Sequence, residues 1–288
     1  MMPMCITWHT VNNFLDRTLI RHFVRLLPLG VVLAVVRTSA LFFAPITPVA
    51  WRLWLCGPLN ISFGRMLAFG YLRSVARIER YALRVKSDQI PDSTRYISVK
   101  GKQHLSQARE SGRGVILVTI HSYYFRLLMR WTNELDNTWR PYLIKKFPRK
   151  SDMRQPKAEY LHQIQLKIFS GRLLDTGSGT RQAVRVLKAG GTVILAQDIP
   201  DKTAVTVRFL NKETPISLGA ARLAEMTNAL IVPIAPSVLL RGRFWMIRIW
   251  PAIDPRGNDT LGRLIAAMEE IIRTNPETWG FWWHFWRI

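Results

Sequence analysis

The stretch GVILVTIHSYYFRLLMRW, residues 114–131, gives the first indication of the fold. Its opening run GVILVT (114–119) is apolar and rich in β-branched residues, which is typical of a strand buried in a parallel sheet. His121 follows where such a strand should end, and the apolar spacing after it predicts a helix over about residues 122–134. Because ligands of open α/β sheets collect at the carboxyl ends of the strands, His121 is a candidate general base.

The chain beyond residue 96 continues this alternating pattern. Short apolar runs predict strands, and amphipathic stretches between them predict helices. The predicted strands are 172–175, 192–198, 204–210 (an edge strand), 230–239 and 244–250, and the predicted helices are 156–169, 180–191 with a Gly-Gly stop, and 218–228. Strands that alternate with helices predict an α/β domain with a mixed, mostly parallel sheet flanked by helices.

The N-terminal part of the chain contains an apolar segment. Residues 26–51 contain a single charged residue, Arg37. The segment is long enough to span a bilayer, which takes about 20 apolar residues. Arg37 and three prolines argue against a simple spanning helix, because a charge at the bilayer centre is costly. We expect a membrane anchor over residues 1–58, either a single span or a segment in one leaflet, and an α/β domain over residues 59–288. The basic flanks of the segment favour the cytoplasmic side for this domain.

Basic residues dominate the charged composition. Lys and Arg number 41 against 19 Asp and Glu, a formal charge of +22, which points to an anionic partner. Nucleic acid, a phosphorylated substrate and an anionic membrane surface all fit. Eleven tryptophans, several beside arginine as in VAWRLWLC (49–56), suit a membrane interface. Because the sequence has no zinc spacing, ribonucleoprotein-type motif or heptad repeat, we expect membrane lipids rather than nucleic acid as partners.

Polar residues follow the ends of three predicted strands: His121, Asp175 and Asp198. If these strands are parallel neighbours, the three side chains share one edge of the sheet, and either carboxylate can orient His121 as a base. The alternative for both aspartates is a helix cap or turn, which their residue type favours. Neither Cys5 nor Cys56 has metal-ligand spacing, so we expect free thiols and no metal or redox cofactor.

Basic residues near these strand ends are candidates for binding an anionic substrate. Lys145 and Lys146 belong to the run IKKFPRK (144–150), and Arg208 precedes FLNK in a predicted strand. A solvated basic face is the alternative interpretation of the run.

Several of these segments resemble, in order along the chain, motifs of the lipid A biosynthesis lauroyl and myristoyl acyltransferases, a family within the lysophospholipid-acyltransferase-like superfamily. The segments are GRGVILVTIH (112–121), LKAGGTVILAQDIPD (187–201), VRFLNKETPISLGAARLAEMTNALIVPIAPS (207–237) and NPETWGFWWHFWRI (275–288). The resemblance extends over about residues 20–288. It implies a glycerolipid-acyltransferase-like fold and a membrane-associated acyltransferase at the cytoplasmic face of a bacterial inner membrane.

The resemblance also implies a reaction. The family motif is a histidine and an acid spaced H-x4-D/E, and His121 matches the histidine. The resemblance implies that this histidine deprotonates the acceptor hydroxyl, which attacks the thioester of a fatty acid carried by acyl carrier protein or coenzyme A. The acid of the motif orients the histidine and stabilises its charged form. An anionic glycolipid of the lipid A type is the acceptor that the resemblance implies.

The acid of the motif is exchanged in this sequence. Arg126 occupies its position, and an arginine stays protonated and cannot accept the imidazole N–H. Ala196 takes the aspartate position of the family's strand-DQ segment, and Asp198 lies two residues on.

Three explanations of this exchange stay open. In the first, the site is rebuilt, with Asp198 or Asp175 as the orienting acid and Arg126 binding a phosphate or carboxylate of the substrate. In the second, the enzyme uses another donor or a non-lipid-A acceptor, such as a pigment or polyene lipid. In the third, the protein is a non-catalytic homologue that binds a lipid or a carrier.

Overall fold

The computed structural model describes most of the chain. The described residues are 27, 29–43, 48–56, 59, 61–85, 96–135, 140–145, 147, 169–170, 172–201, 203–238 and 245–285. The chain separates into two compact units, which comprise Met1–Trp54 with Ile61–Asp92, and Leu55–Asn60 with Ser93–Ile288. The segment 61–92, which the expected division after residue 58 assigns to the α/β domain, therefore groups with the N-terminal helices.

The described helices of the N-terminal region are α1 Leu29–Phe43, α2 Pro48–Cys56 and α3 Phe63–Val85. α1 packs against α3. Within this pair, Nε of Arg37 lies 3.0 Å from Oε1 of Glu79, whose side chain is completely buried. The one charge of the apolar segment is thus paired with an acidic residue inside the unit, and this pairing compensates the buried charge of Glu79.

The apolar segment 26–51 forms two helices in the described residues. α1 has 15 residues and ends at Phe43, and α2 begins at Pro48, a residue favoured at the first position of a helix. No helix in the described part of the chain combines the length and hydropathy needed to cross a membrane. The predicted N-terminal membrane anchor is therefore unsupported by these helices.

The second unit contains the β-strands. In chain order they are β1 Ile97–Lys100, β2 Val115–Thr119, β3 Tyr142–Lys145, β4 Leu173–Asp175, β5 Thr192–Ala196, β6 Val205–Phe209, β7 Lys212–Ile216, β8 Leu230–Val238 and β9 Trp245–Ile249. Seven of them form one sheet in the order β1-β9-β8-β2-β5-β3-β4. The run from β8 to β4 is parallel throughout, whereas β9 pairs with β8 antiparallel and β1 pairs with β9 parallel. The predicted mixed, mostly parallel α/β sheet is confirmed.

The helices of this unit follow or separate the strands. In the described residues they are α4 Lys102–Glu110, α5 Phe125–Asn133, α6 Thr180–Lys188, α7 Gly219–Thr227, α8 Thr260–Thr274 and α9 Trp282–Phe285, with a 3₁₀ turn at Pro276–Thr278. The helix after His121 begins three residues later than expected, because Ser122 accepts the backbone N–H of Tyr124 at 3.1 Å and of Phe125 at 3.1 Å in a turn. The predicted helix 156–169 lies outside the described residues except for Phe169.

The predicted edge strand 204–210 does not join the main sheet. β6 pairs with β7 in a separate two-stranded antiparallel sheet. The turn between them places Leu210 at φ 49° and Asn211 at φ 62°, the two positive φ angles of a type I′ hairpin. Because Leu-Asn is an uncommon pair for this turn and a proline, Pro215, lies within β7, the sequence gives little indication of the hairpin.

Arg113 ties the amino end of β2 to other elements. Its guanidinium donates to both carboxylate oxygens of Asp254 at 2.8 and 3.0 Å, and to the carbonyl of Asn228 at 2.6 Å. Asn228 ends α7 in the left-handed conformation. The side-chain hydrogen bonds from Arg113 and Arg256 hold the pKa of Asp254 far below its usual range. This cluster lies at the end of β2 opposite to His121, away from the carboxyl edge where ligands of open α/β sheets collect.

Candidate active site

Adjacent strands bring His121 and Asp198 to the same edge of the sheet. β2 and β5 pair in parallel up to Thr119 and Ala196, and each candidate residue lies two positions beyond its strand. The backbone N–H of Gln197 donates to the carbonyl of Thr119 at 3.0 Å, so the pairing continues past the strands. Since carboxyl ends of parallel neighbours meet at one edge, the two side chains face each other across a single strand spacing.

The two side chains are in direct contact. Nδ1 of His121 lies 2.6 Å from Oδ1 of Asp198, and the backbone N–H of His121 donates to both carboxylate oxygens at 3.0 and 2.9 Å. An ionised carboxylate only accepts hydrogen bonds, so the tautomer that this contact favours is the one with the proton on Nδ1, which leaves Nε2 as the nitrogen that can accept one. The Asp198 side chain is fully buried, whereas that of His121 is 36% exposed. A histidine in this arrangement can serve as a general base, because its ring is oriented by a buried carboxylate and is partly open to solvent.

Trp279 provides a third donor to the same carboxylate. Its indole Nε1–H donates to Oδ2 of Asp198 at 2.7 Å, and the tryptophan is almost completely buried. The predicted sites do not include Trp279. The segment NPETWGFWWHFWRI (275–288) signals it only as part of an aromatic ending, which by itself favours packing or a membrane interface.

The segment around Trp279 runs beside the histidine. The carbonyl of His121 accepts the N–H of Gly280 at 2.8 Å, and Tyr123 donates to the carbonyl of Thr278 at 3.0 Å. A Cβ at Gly280 would lie 2.9 Å from the His121 carbonyl oxygen, so a side chain at this position would force the two segments apart. The C-terminal segment is therefore built against the site by close backbone contact.

Aromatic rings surround the imidazole. The ring of Phe281 meets His121 edge-on with centroids 4.8 Å apart, and the ring of Phe125 lies nearly parallel at 6.2 Å. Apolar rings beside the imidazole restrict access of water and offer contact area to an apolar substrate chain.

Gln197 fixes the backbone next to Asp198. Its buried side-chain amide donates to the carbonyl of Ser217 and accepts the N–H of Ala220 at 3.3 Å. These bonds connect the end of β5 to the first turn of α7, so Asp198 extends from a backbone held on both sides.

Arg126 lies in the first turn of α5, and no acidic residue occupies that turn. The guanidinium is positively charged at every physiological pH and cannot orient an imidazole by accepting its proton. The residue that contacts Nδ1 of His121 is Asp198 and not position 126. The structure thus places a carboxylate beside the histidine, although the sequence has no acid at the second position of the H-x4-D/E motif.

Asp175 is not brought to His121. It ends β4, and β3 and β5 lie between that strand and β2. Its carboxylate accepts the backbone N–H groups of Phe147 at 2.9 Å, Gly177 at 3.0 Å and Ser178 at 3.3 Å. These bonds, led by that from Phe147, hold the pKa of Asp175 below its usual value. The geometry agrees with the turn-forming alternative, and the expected proximity to His121 is wrong because β3 intervenes.

The predicted anion-binding residues are distributed over different elements. Lys145 ends β3, the strand next to β5, and burial lowers its pKa. Lys146 lies outside the described residues. Arg208 is exposed on β6, opposite Glu213 in the hairpin. Among the described residues, no group of three or more His, Cys, Asp or Glu side chains is placed to hold a metal ion.

Comparison with known proteins finds two mycobacterial relatives that carry the same name. The phosphatidylinositol mannoside acyltransferase of Mycolicibacterium smegmatis is 24% identical over 219 residues, which are 74% of this chain and 68% of that protein. The phosphatidylinositol mannoside acyltransferase of Mycobacterium tuberculosis strain H37Rv is 25% identical over 234 residues, which are 78% of this chain and 67% of that protein.

Among solved structures, the 1-acyl-sn-glycerophosphate (LPA) acyltransferase PlsC from Thermotoga maritima aligns with a TM-score of 0.38 and 16% identity, covering 85% of this chain and 92% of that chain. A likeness of this degree supports no conclusion about the site. The model of the family described as bacterial lipid A biosynthesis acyltransferase matches residues 66–287, well over half of the chain. The protein therefore belongs to the bacterial lipid A biosynthesis acyltransferase family and is an acyltransferase, as its motifs predicted.

Proposed function

We propose that the protein transfers a fatty acyl group from a thioester of acyl carrier protein or coenzyme A to a hydroxyl group of a lipid-linked acceptor. The contact between His121 and Asp198 carries the proposal, because it supplies a base and its orienting acid at the carboxyl edge of the sheet. Asp198 thereby takes the role that position 126 lacks.

The dyad suits the steps of an acyl transfer. Nε2 of His121 accepts the hydroxyl proton as the acceptor oxygen attacks the thioester carbonyl carbon. Asp198 keeps Nδ1–H in place and stabilises the imidazolium that forms. The tetrahedral intermediate then collapses to the ester as the carbon–sulfur bond breaks, and the imidazolium returns its proton to the leaving thiolate. Bonds and protons balance without a metal or redox cofactor.

An anionic acceptor is the second part of the proposal. The formal charge of +22 favours a substrate that carries phosphate or carboxylate groups. Arg126, in the turn after the base, is proposed to bind such a group, with Lys145, Lys146 and Arg208 adding positive charge. The names of the mycobacterial relatives, which are phosphatidylinositol mannoside acyltransferases, support an anionic glycolipid of this kind, including a lipid A-like one. Acylation of a pigment or polyene lipid is the alternative acceptor chemistry.

Membrane association is the third part. Trp51, Trp54 and Phe63 form an exposed aromatic group, with ring centroids 5.8 Å apart for Trp51 and Trp54 and 5.4 Å for Trp54 and Phe63. Arg52 and Arg65 are exposed on the same two helices. Indole rings and arginines suit the headgroup region of an anionic bilayer. We propose that this region lies on the cytoplasmic face of the bacterial inner membrane and brings the enzyme to its lipid.

The lipid composition of cells tests the proposal. Total lipids of the wild-type strain, a deletion strain and a strain carrying His121→Ala would be compared by mass spectrometry. We expect one acylated species to disappear in the deletion strain and to stay absent with His121→Ala. A deletion strain with an unchanged lipid profile contradicts the lipid-linked acceptor. Full restoration by His121→Ala contradicts catalysis by this histidine and favours the lipid- or carrier-binding alternative.

A further inference from the structure

We infer that Trp279 is a positioning residue for the dyad: its indole N–H holds the Asp198 carboxylate in the orientation that serves Nδ1 of His121. The inference rests on the proposed function of that dyad and adds a residue from the far end of the chain. Trp279 does not touch His121 Nε2 or the reacting atoms and acts through Asp198.

In the described part of the chain, the Asp198 carboxylate is contacted by donors of two residues, His121 and Trp279. Oδ1 accepts from Nδ1 and the backbone N–H of His121, and Oδ2 accepts from the same backbone N–H and from Nε1 of Trp279. The side chain is completely buried, so water does not replace a lost donor at low cost. Without the indole, Oδ2 would keep only the backbone bond at 2.9 Å, which Oδ1 shares, and the orientation of the carboxylate would be less tightly fixed.

Trp279 is itself held firmly enough to act as a fixed donor. Its backbone forms a bridge with Ser122, flanked by the hydrogen bonds from Gly280 to the His121 carbonyl and from Tyr123 to the Thr278 carbonyl. Its rings meet Trp282 with centroids 4.7 Å apart. The same short segment thus fixes both the backbone of the base and the side chain of the acid, which couples their positions.

Trp282 provides a matched control for this role. It is fully buried, its ring contacts that of Trp279, and its Nε1–H also donates to a backbone acceptor, the carbonyl of Pro276 at 2.7 Å. Phenylalanine at either position keeps an aromatic ring and removes one N–H donor. Only the substitution at Trp279 removes a donor from Asp198. A purely structural role predicts similar consequences for both substitutions.

Kinetics of the full-length protein in detergent separate these roles. The assay uses palmitoyl thioesters of coenzyme A and acyl carrier protein as donors, with the lipid extract of the deletion strain as acceptor. We expect Trp279→Phe to lower kcat roughly 10-fold to 100-fold, the effect of losing a hydrogen bond to a charged group, with KM nearly unchanged. Trp282→Phe should keep the wild-type kcat. In an Asp198→Asn background, Trp279→Phe should cause no further loss, because the two residues act as one unit.

Two kinetic results overturn the inference. One is an equal kcat for Trp279→Phe and Trp282→Phe. The other is a full additional loss from Trp279→Phe when Asp198→Asn is already present.

A spectroscopic measurement decides the same question without altering the tryptophan or relying on turnover. Protein labelled with ¹⁵N in its indole groups gives a separate Nε1–H resonance for each tryptophan. Asp198→Asn should move the resonance of Trp279 upfield, since the charged acceptor is replaced by a neutral one, and should leave that of Trp282 in place. An unmoved Trp279 resonance overturns the inference. If His121→Ala retains full activity, the proposed function fails, and this measurement still tests the link between Trp279 and Asp198.

Discussion

His121 and Asp198 are separated by 77 residues along the chain, yet Nδ1 of one lies 2.6 Å from Oδ1 of the other. Their contact follows from the parallel pairing of β2 with β5, which ends at Thr119 and Ala196. The family motif H-x4-D/E draws the acid from the helix that follows the histidine. In this protein that helix opens with Phe125 and Arg126, and the carboxylate that contacts the histidine follows the neighbouring strand. The contact between a histidine and a carboxylate is therefore present although the usual spacing is absent.

Removal of the carboxylate at position 198 should therefore disable catalysis. Asp198→Asn keeps the shape of the side chain, but its neutral amide stabilises the imidazolium poorly, and its NH2 group can donate to Nδ1 and so favour the wrong tautomer. We expect kcat to fall about 10²-fold to 10⁴-fold with a smaller change in KM. Steady-state kinetics with a labelled thioester donor measure both constants.

Asp175→Asn is the matched control for this prediction. Asp175 also follows a strand of the sheet, but its carboxylate accepts backbone N–H groups of a turn. The activity of the Asp175→Asn variant, divided by the amount of folded protein, should stay close to that of the wild type. Similar losses in the two variants would contradict the assignment of the acid to Asp198.

Arg126 should contribute to substrate binding rather than to the chemical step. Arg126→Ala removes a cation proposed to bind a phosphate or carboxylate, so KM for the anionic substrate should rise roughly 10-fold with a lesser change in kcat. Arg130→Ala is the control, since Arg130 lies on the same helix and pairs with Glu134 at 3.4 Å on the surface. A fall in kcat at constant KM, or equal effects at both positions, would refute the binding role.

A rescue experiment tests whether an acid at position 126 can replace Asp198. Arg126→Asp restores the family spacing, but it does not alter the position of Asp198 at the end of β5. Added to Asp198→Asn, Arg126→Asp should leave the low kcat unrestored, because the backbone N–H of His121 and the indole N–H of Trp279 both point at the carboxylate of residue 198. Recovery of wild-type kcat would mean that either position can supply the acid.

Local sequence patterns were sufficient to predict the sheet and the position of His121 at a strand end. The largely apolar runs within 114–119 and 192–198 predicted buried strands, and both are confirmed as β2 Val115–Thr119 and β5 Thr192–Ala196, each with a strand on either side. The histidine at a strand end was visible for the same reason. These are features that a strand carries in its own residues.

The choice of acid could not be made in the same way. It depends on strand order, and β3, a four-residue strand with no strong pattern, lies between β5 and β4 and moves Asp175 away from the base. The role inferred for Trp279 depends on its contact with Asp198, which lies 81 positions away in the sequence. An aromatic C-terminal segment does not indicate which distant residue it contacts. Order and distant contacts are properties of the packed chain rather than of any segment.

Asp254 should make the stability of the fold depend on pH. Hydrogen bonds from Arg113 and then Arg256 depress its pKa, so the carboxylate stabilises the fold above its unfolded-state pKa of about 3.9. This stabilisation is lost as the pH falls through the folded-state pKa. We expect Asp254→Asn to lower the free energy of unfolding by about 1 kcal/mol at pH 7, a modest value because solvent screens a side chain that is 35% exposed.

Urea unfolding at a series of pH values measures this effect. The difference between wild type and Asp254→Asn should be constant near neutral pH and shrink below about pH 4. Arg113→Ala should act like Asp254→Asn, whereas Arg256→Ala should have little effect because the Arg256 side chain is 68% exposed. A difference that grows in acid would reverse the sign and exclude the ion pair as its cause.

The exposed aromatic group of the N-terminal helices should bind membranes. Trp51 and Trp54 are 40% and 37% exposed, although burial of an indole is strongly favourable, and Arg52 lies between them. In sedimentation with vesicles of phosphatidylethanolamine and phosphatidylglycerol, the double variant Trp51→Ala, Trp54→Ala should bind roughly 10-fold more weakly, since each ring loses its contact with the interface. Met226→Ala serves as the control, because Met226 is 61% exposed on α7 and lies outside this group. Equal vesicle binding by the wild type and the double variant would remove these tryptophans from the membrane contact and leave the positive charge, which high salt screens, as the source of any remaining attraction.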